Sequence, residues 1–223
     1  MQTQQTRMFE TERKAAAYGE ALPDLNLSQC SLDELKAIVS VCNRCRLSTT
    51  RTQIVFSDGN PKARIMIIGE GPGQQEDETG VPFVGKAGQL LTKIIESVNF
   101  DRQKDVYICN IVKCRPPNNR APEADEMASC TPYLQAQIQL IQPDIILLAG
   151  ATAVKGLLPN QPGITKIRGK WFALPEDRYP WKPRVMPIFH PSYLLRNQST
   201  VENSPKWHTW QDIQAVRKAY DAL

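Results

Sequence analysis

Four short apolar runs, each rich in Ile, Val, Leu or Met, recur along the chain without a clean alternation of polar and apolar positions. They are RIMIIG (64–69), VYICNIV (106–112), DIILLAG (144–150) and RVMPIF (184–189). Runs of this composition are typical of strands that are buried on both faces of a parallel sheet. The pattern therefore predicts four fully covered strands.

Segments with helical spacing of apolar residues separate these runs. They lie at 86–98, 122–141 and 151–158, with a last one at 205–222. Another helix is predicted at 31–41, where Ser31 and Glu34 form a capping-box sequence before an apolar stretch. Alternating strands and helices predict an α/β fold, a three-layer α/β/α sandwich around a central four-stranded parallel sheet.

Composition sets the expected domain organisation. The chain has 223 residues, of which 41% are hydrophobic, and its net charge of +4 permits a nucleic-acid partner without requiring one. No apolar run approaches the roughly 18 residues of a membrane span, and the polar N-terminus lacks the apolar block of a secretory signal. We expect a cytoplasmic monomer with no membrane contact, in which a flexible extension (1–28) precedes one domain (29–223).

Polar and glycine-rich segments follow three of the four predicted strands, and ligands of parallel sheets bind beyond these carboxyl ends. The segments are GEGPGQQEDETGVPFVGKAG after the first strand, NIVKCRPPNNR after the second and HPSYLLRN after the fourth. We expect them to converge on one pocket. Gly69, Gly71 and Gly73 lack side chains and would let the backbone approach a ligand closely.

Two nucleotide-binding motifs are matched only in part. GEGPG lacks the G-x-G-x-x-G spacing of dinucleotide sites. GVPFVGKA (80–87) is close to a P-loop, but Ala87 stands where a hydroxyl should meet magnesium, and Pro82 removes one backbone N–H. A P-loop-like nucleotide phosphohydrolase remains an alternative.

Cysteines form a candidate metal site. Cys42 and Cys45 make a C-x2-C pair after the first helix, Cys114 follows the second strand, and Cys130 lies on the next helix. Four thiolates bind either zinc or an iron–sulfur cluster, and their spacing does not choose between them. A non-catalytic zinc module that binds nucleic acid is therefore a second alternative. Cys109 lies inside an apolar run and is expected to be a core residue.

Several of these segments, taken together in their order and spacing, resemble the family 4 uracil-DNA glycosylases, the iron–sulfur type. They are GEGPGQQED, GVPFVGKAGQLL, NIVKCRPPNNRAP, the CNRC pair with the two later cysteines, and HPSYLLR. The resemblance implies a monofunctional DNA-repair enzyme that hydrolyses the N-glycosidic bond of flipped-out deoxyuridine and leaves an abasic site. It also implies that Cys42, Cys45, Cys114 and Cys130 hold a [4Fe–4S] cluster rather than zinc.

The resemblance also implies roles for residues at the strand ends. Phe83 would stack on the base, Asn110 would read the uracil edge, and His190 would donate a hydrogen bond to uracil O2 as negative charge collects there. Leu194 or Leu195 would fill the gap in the duplex, and Arg196 would meet phosphate.

The group that activates the attacking water stays open. Other branches of the superfamily carry an Asp where this chain has Gly71, which has no side chain. Glu70 and Glu76 are the candidates, and Glu76 is favoured, either holding the water or crowding the C5 position against thymine. Four basic residues near the strand ends are expected to be solvated or to contact phosphate: Lys86, Lys113, Arg115 and Arg120.

Overall fold

A computed structural model of the chain describes Leu27 and residues 30–223. The flexible extension predicted for 1–28 lies outside the described residues, apart from Leu27. The first described helix begins where its capping box predicts. The Ser31 hydroxyl accepts from the Glu34 backbone N–H, and the Glu34 carboxylate accepts from the Ser31 N–H at 2.7 Å. Among the described helices, none has the length and apolar character needed to cross a membrane.

A mixed sheet forms the middle layer, with its strands in the order β1-β3-β2-β4-β6-β5. The strands are β1 (Asp58–Gly59), β2 (Ile65–Gly69), β3 (Val106–Asn110), β4 (Ile145–Ala149), β5 (Phe172–Ala173) and β6 (Arg184–Ile188). The four central strands are parallel and confirm the four predicted runs. The predicted count of four strands was too low, because two antiparallel strands close the edges. These edge strands are only two residues long, too short to be recognised from an apolar pattern.

Helices cover both faces of the sheet and confirm the three-layer sandwich. They are α1 (Leu32–Ser40), α2 (Gln74–Thr79), α3 (Lys86–Glu96), α4 (Ala124–Ile141), α5 (Ala151–Leu157), α6 (Ile164–Ile167), α7 (Pro191–Arg196) and α8 (Pro205–Asp221). Alternate strand residues face different cores. Met66 and Ile68 join the core with α1, α4 and α5, whereas Ile65 and Ile67 join the core with α3 and α8. Both cores are apolar, which explains why the strands show no polar alternation.

Helix α2 was not predicted, because its acidic sequence is typical of a loop with an exposed face. Asp77 is in fact only 2% exposed, and its carboxylate accepts from the Thr52 N–H at 2.9 Å. The helix ends at Gly80, which takes the left-handed conformation with φ 73°. Long-range contacts that no local pattern reveals thus stabilise α2.

Candidate active site

A cleft of about 360 Å³ opens at the carboxyl end of the parallel strands. The strand ends are level there, because Gly69 of β2 lies opposite Asn110 of β3. The segments after β2, β3 and β6 all contribute to it, as the sequence predicts. Its lining includes Glu70, Gly71, Gly73, Glu76, Phe83, Asn110, Asn119, His190, Ser192 and Arg196.

Asn110, the last residue of β3, presents an unsatisfied amide to the cleft. The residue is only 2% exposed, and its Oδ1 has no hydrogen-bond partner among the described residues. A buried polar atom without a partner costs about 1–3 kcal/mol of stability. Such an atom in a cleft is therefore positioned to bind a ligand group that donates a hydrogen bond.

Gly69 keeps the floor of the cleft open. A Cβ at this position would collide with the Phe83 ring and the Asn110 side-chain oxygen. Because the backbone of Gly69 is not in the left-handed region, the need for glycine here is one of space alone. The glycine thus allows the Phe83 ring and the Asn110 amide to come together at one point.

Phe83 forms an aromatic wall of the cleft. Its ring centroid lies 5.8 Å from that of His190, and the residue is 6% exposed. Its backbone is in the left-handed region, with φ 55°, which bulky residues rarely adopt. Such a conformation must be stabilised by surrounding contacts, so the loop holds the Phe83 ring in a fixed position.

His190 caps α7, and its contacts determine which ring nitrogen carries the proton. The Ser192 backbone N–H donates to His190 Nδ1 at 3.1 Å, and the Ser192 hydroxyl contacts the same nitrogen at 2.8 Å. A backbone N–H can only donate, so Nδ1 is the acceptor, and the neutral ring carries its proton on Nε2. Burial lowers the pKa of His190, although the Glu70 carboxylate opposes that shift. The ring is therefore a neutral donor near pH 7.

Glu70 follows β2 and lines the cleft with a fixed carboxylate. The Thr152 hydroxyl on α5 donates to Glu70 Oε2. The Glu70 backbone carbonyl accepts from the Val112 N–H at 3.2 Å. A side chain at the neighbouring Gly71 would meet the Val112 side chain at 2.7 Å, so the loop leaves little room there for the Asp of other branches.

Glu76 lines the cleft, and both oxygens of its carboxylate accept hydrogen bonds from backbone N–H groups. Oε1 accepts from the N–H groups of Val84 and Gly85 at 3.0 and 2.8 Å, and Oε2 accepts from Gly73 at 3.1 Å. These contacts tie α2 to the loop that carries Phe83. The N–H groups that a P-loop would offer to phosphate are therefore occupied, which disfavours the phosphohydrolase alternative.

Helix α7 places its two leucines differently. Leu194 is 1% exposed and packs in the interior, whereas Leu195 is partly exposed and Arg196 is exposed at the rim of the cleft. Of the two alternatives for a residue that enters DNA, the structure therefore leaves Leu195 as the accessible one.

Sequence reasoning missed several residues of the cleft. Asn119 lines it from a 3-10 turn with φ 55°, and its Oδ1 accepts from the Arg115 Nε–H at 2.8 Å. The paired asparagines of NNR were the available signal, since asparagine tolerates the left-handed region. Arg120, predicted from the sequence to be a solvated charge or a phosphate contact, also lines the cleft, and its guanidinium binds the buried Glu126 carboxylate. Pro116 completes this side.

Lys113 is buried, whereas the sequence predicted a solvated charge or a phosphate contact at this position. Its side chain is 1% exposed, and its Nζ donates to the Asn110 carbonyl oxygen at 2.7 Å and to the Gln137 side chain. None of the described carboxylates forms an ion pair with it. A buried cation of this kind is costly unless negative charge lies nearby.

The four predicted ligand cysteines lie on one side of the molecule. Cys45, Cys114 and Cys130 are buried in one core, and Cys42 packs against it. Burial raises the pKa of the Cys114 thiol to about 11 and that of Cys130 to about 12, and it also raises the pKa of Cys45. All six cysteines are free thiols.

The surroundings of these four sulfurs indicate the kind of group that they fit. Among the described residues, no three His, Cys, Asp or Glu side chains converge closely enough to hold one metal ion. The thiols nevertheless interact, since the charges of Cys42 and Cys45 each raise the pKa of Cys114. Arg51 donates to the Cys114 sulfur at 3.3 Å, and the Lys113 ammonium offsets part of the rise that burial causes in the pKa of Cys130. Cations beside these four thiols fit an anionic group.

Comparisons with known proteins agree with this geometry. A family model described as the uracil DNA glycosylase superfamily matches residues 56–214. The type-4 uracil-DNA glycosylase of Thermotoga maritima is 49% identical over 172 residues, which cover 75% of this chain and 86% of the relative. Those of Sulfurisphaera tokodaii and Saccharolobus solfataricus are 44% and 43% identical, over 75% of this chain and 77% and 78% of the relatives. The chain belongs to the uracil-DNA glycosylase superfamily and, within it, to the type-4 uracil-DNA glycosylases.

Proposed function

We propose that this chain is a monofunctional DNA-repair glycosylase that hydrolyses the N-glycosidic bond of deoxyuridine in DNA, releasing uracil and leaving an abasic site. One observation supports this function above all. The unpaired Asn110 amide oxygen, the Phe83 ring and the neutral His190 ring share one cleft of about 360 Å³. A base inside a duplex cannot reach such a cleft, so the nucleotide must flip out of the stack.

Base recognition follows from the chemistry of Asn110. Uracil donates from N3–H and accepts at O4, so it complements Asn110 Oδ1 and the Asn110 amide N–H. Cytosine offers an acceptor at N3 and a donor at N4, which leaves both groups opposed. The unsatisfied Oδ1 in the free protein is the group that uracil N3–H would satisfy.

Bond cleavage places negative charge on the departing uracil. His190 Nε2–H would donate to uracil O2, where this charge collects, and the Ser192 N–H keeps the ring in the required tautomer. The neutral ring can donate from Nε2 while Nδ1 accepts from the Ser192 N–H. Phe83 would stack on the base and restrict it to this geometry.

For water, we assign Glu70 the positioning role and Glu76 the role of holding the Phe83 loop. Glu70 lines the cleft and is oriented by Thr152, whereas both Glu76 oxygens bind backbone N–H groups. This reverses the order of preference that the sequence suggested. Gly69, Gly71 and Gly73 provide the space.

At the DNA surface, α7 would contact the duplex. Leu195 would enter the gap left by the flipped nucleotide, and Arg196, exposed at the rim, would meet a phosphate.

We further propose that Cys42, Cys45, Cys114 and Cys130 hold a [4Fe–4S] cluster. A cluster held by four thiolates carries a net negative charge. The buried Lys113 ammonium and the Arg51 guanidinium would offset that charge.

The test is base release from a labelled oligonucleotide that contains a single uracil. We expect cleavage at that position only after alkali, because the product is an abasic site. His190→Ala should slow single-turnover release without weakening binding to uracil-containing DNA. Strand cleavage without alkali, or release of phosphate from a nucleoside triphosphate in place of uracil, would contradict the proposed function.

A further inference from the structure

Arg102 holds the loop that carries Phe83, although it lies outside the cleft. It belongs to the turn before β3, and its guanidinium is only 14% exposed. Nη1 donates to the Phe83 carbonyl oxygen at 3.0 Å, and Nη2 donates to the Pro82 carbonyl oxygen at 2.7 Å. Two consecutive carbonyls, including that of the left-handed Phe83, are therefore bound by one planar group.

The remaining donors of this guanidinium are also used. Nη1 donates to the Thr92 hydroxyl at 3.0 Å, while Nε and Nη2 bind Asp58 Oδ2 at 3.0 and 2.9 Å. An arginine has five N–H donors in a fixed planar arrangement. Here the guanidinium donates four hydrogen bonds, and Nη2 also lies in an ion pair with Asp58. Asp58 lies on the edge strand β1, so the sheet itself orients the guanidinium.

A second contact restrains the same loop from the opposite direction. Glu76 binds the backbone of Val84 and Gly85, immediately after Phe83. On α3, a Cβ at Gly88 would collide with the backbone of Phe83, so the helix approaches the loop without a gap. Arg102 and Glu76 thus hold residues 82–85 in a conformation that Phe83 would not adopt by itself.

We propose that Arg102, oriented by Asp58, is a positioning residue that sets the Phe83 ring for stacking on the flipped base. This inference rests on the proposed function, because it requires that Phe83 stacks on uracil. Lysine cannot replace Arg102, since a single ammonium cannot bind Asp58 and two separate carbonyls in one plane.

A double-mutant cycle tests the proposal with Arg102→Lys, Phe83→Ala and the double variant. Single-turnover uracil release is measured with saturating enzyme, and affinity is measured for the same duplex without uracil. We expect Arg102→Lys to slow release on the order of 10-fold, since small misplacements of a positioning group have large effects on rate. Affinity for the uracil-free duplex should not change. In the Phe83→Ala background the Arg102→Lys effect should disappear, because the ring it positions is absent.

Controls keep loss of folding apart from loss of positioning. Arg64→Lys is the matched control, since Arg64 forms an exposed pair with Asp144 at the opposite end of the sheet. Asp58→Asn is a milder second variant that keeps the guanidinium but loosens its orientation, and it should slow release less than Arg102→Lys. Urea unfolding identifies variants that remain folded at the assay temperature.

Two results would distinguish failure of the Arg102 role from failure of the Phe83 stacking role. If Arg102→Lys slows release equally in both backgrounds, or in neither, the positioning role is wrong while the glycosylase function stands. If Phe83→Ala releases uracil at the wild-type rate, the stacking role of Phe83 is wrong, and the role of Arg102 falls with it.

Discussion

Two side-chain atoms in the cleft are positioned to form hydrogen bonds with a ligand. Asn110 Oδ1 is buried without a partner, and His190 has a proton on Nε2 because a backbone N–H occupies Nδ1. Neither atom has a partner among the described residues that would compete with a ligand. A site of this kind is preorganised, since little rearrangement is needed when the base enters.

Asn110→Asp tests base reading at this scale. The carboxylate keeps acceptor atoms but loses the amide N–H that would donate to uracil O4. We expect the single-turnover rate on uracil to fall about 10- to 100-fold, which corresponds to about 1–3 kcal/mol of lost recognition. Asn99→Asp is the control, because Asn99 lies in an exposed turn after α3. An unchanged preference for uracil over cytosine would count against this role.

The rate should depend on pH through His190. Burial lowers its pKa from the ordinary 6.5, so the neutral ring persists at neutral pH and becomes protonated only in more acidic solution. A proton on Nδ1 would oppose the Ser192 N–H, so release should slow as the pH falls below 6.5. Stability should fall as the pH decreases from about 6.5 to the lowered pKa of folded His190, because the unfolded chain binds that proton more tightly. A rate that increases with acidity would contradict this expectation.

A pH profile of single-turnover release measures the effect. His208→Ala should show the same profile as the wild type, because His208 lies on α8 away from the cleft lining.

At the scale of elements, the strand ends and their following loops build the site. Gly69 ends β2 at the point where the Phe83 ring and the Asn110 amide meet. Helix α2 then holds the next loop through Glu76. Each element therefore contributes to the cleft through backbone geometry as well as through its side chains.

Gly69→Ala tests the space at the end of β2. The added methyl group would displace Phe83 or Asn110. We therefore expect the rate of uracil release to fall by roughly 10-fold or more, while the sheet still forms. Gly163→Ala is a matched control, because an added Cβ there meets nothing within 4 Å. Release and circular dichroism together measure the result, and equal rates for the two variants would show that the space at Gly69 is not needed.

Glu76→Gln tests the contact between α2 and the Phe83 loop. The amide keeps one oxygen, so it cannot accept from Gly73, Val84 and Gly85 together as the carboxylate does. We expect the free energy of unfolding to fall by about 1–2 kcal/mol, together with slower uracil release. Glu78→Gln on the same helix is the control, since its carboxylate binds only the exposed Gln74 side chain among the described groups. A loss of activity without a loss of stability would instead indicate a direct role in catalysis.

At the scale of the whole molecule, the cysteine site joins distant parts of the chain. Two cysteines follow α1, one follows β3, and one lies on α4, so a bound group would link these segments. Lys113 lies between this site and Asn110, because its ammonium binds the Asn110 carbonyl and acts on Cys130. A group bound by these cysteines would therefore support the end of β3 at Asn110.

Cys114→Ala tests the ligand assignment. We expect protein purified without oxygen to lose iron, acid-labile sulfide and visible absorption, and to unfold at lower urea. Cys30→Ala should keep the iron, the sulfide and the absorption, since Cys30 is partly buried and its thiol donates a hydrogen bond to the Leu27 carbonyl. Iron and sulfide analysis with urea titration measures the outcome. A fully loaded Cys114→Ala protein would show that the thiol is not a ligand.

The sequence by itself determined the elements whose signals are local. Apolar runs predict the four parallel strands, and a capping box predicts the helix after Ser31. Both signals are local, because they depend on residues close together in the sequence. Motif order also brought Phe83, Asn110 and His190 together correctly. The cleft contains all three.

Only the tertiary structure decided the rest. The edge strands β1 and β5, the burial of Lys113, the engagement of Glu76 and the contacts of Arg102 all depend on partners from other elements. Sequence alone predicts that a charged residue is solvated, because burying a charge is costly. In the folded protein, hydrogen-bond partners from distant parts of the chain offset that cost, and no local sequence pattern identifies them.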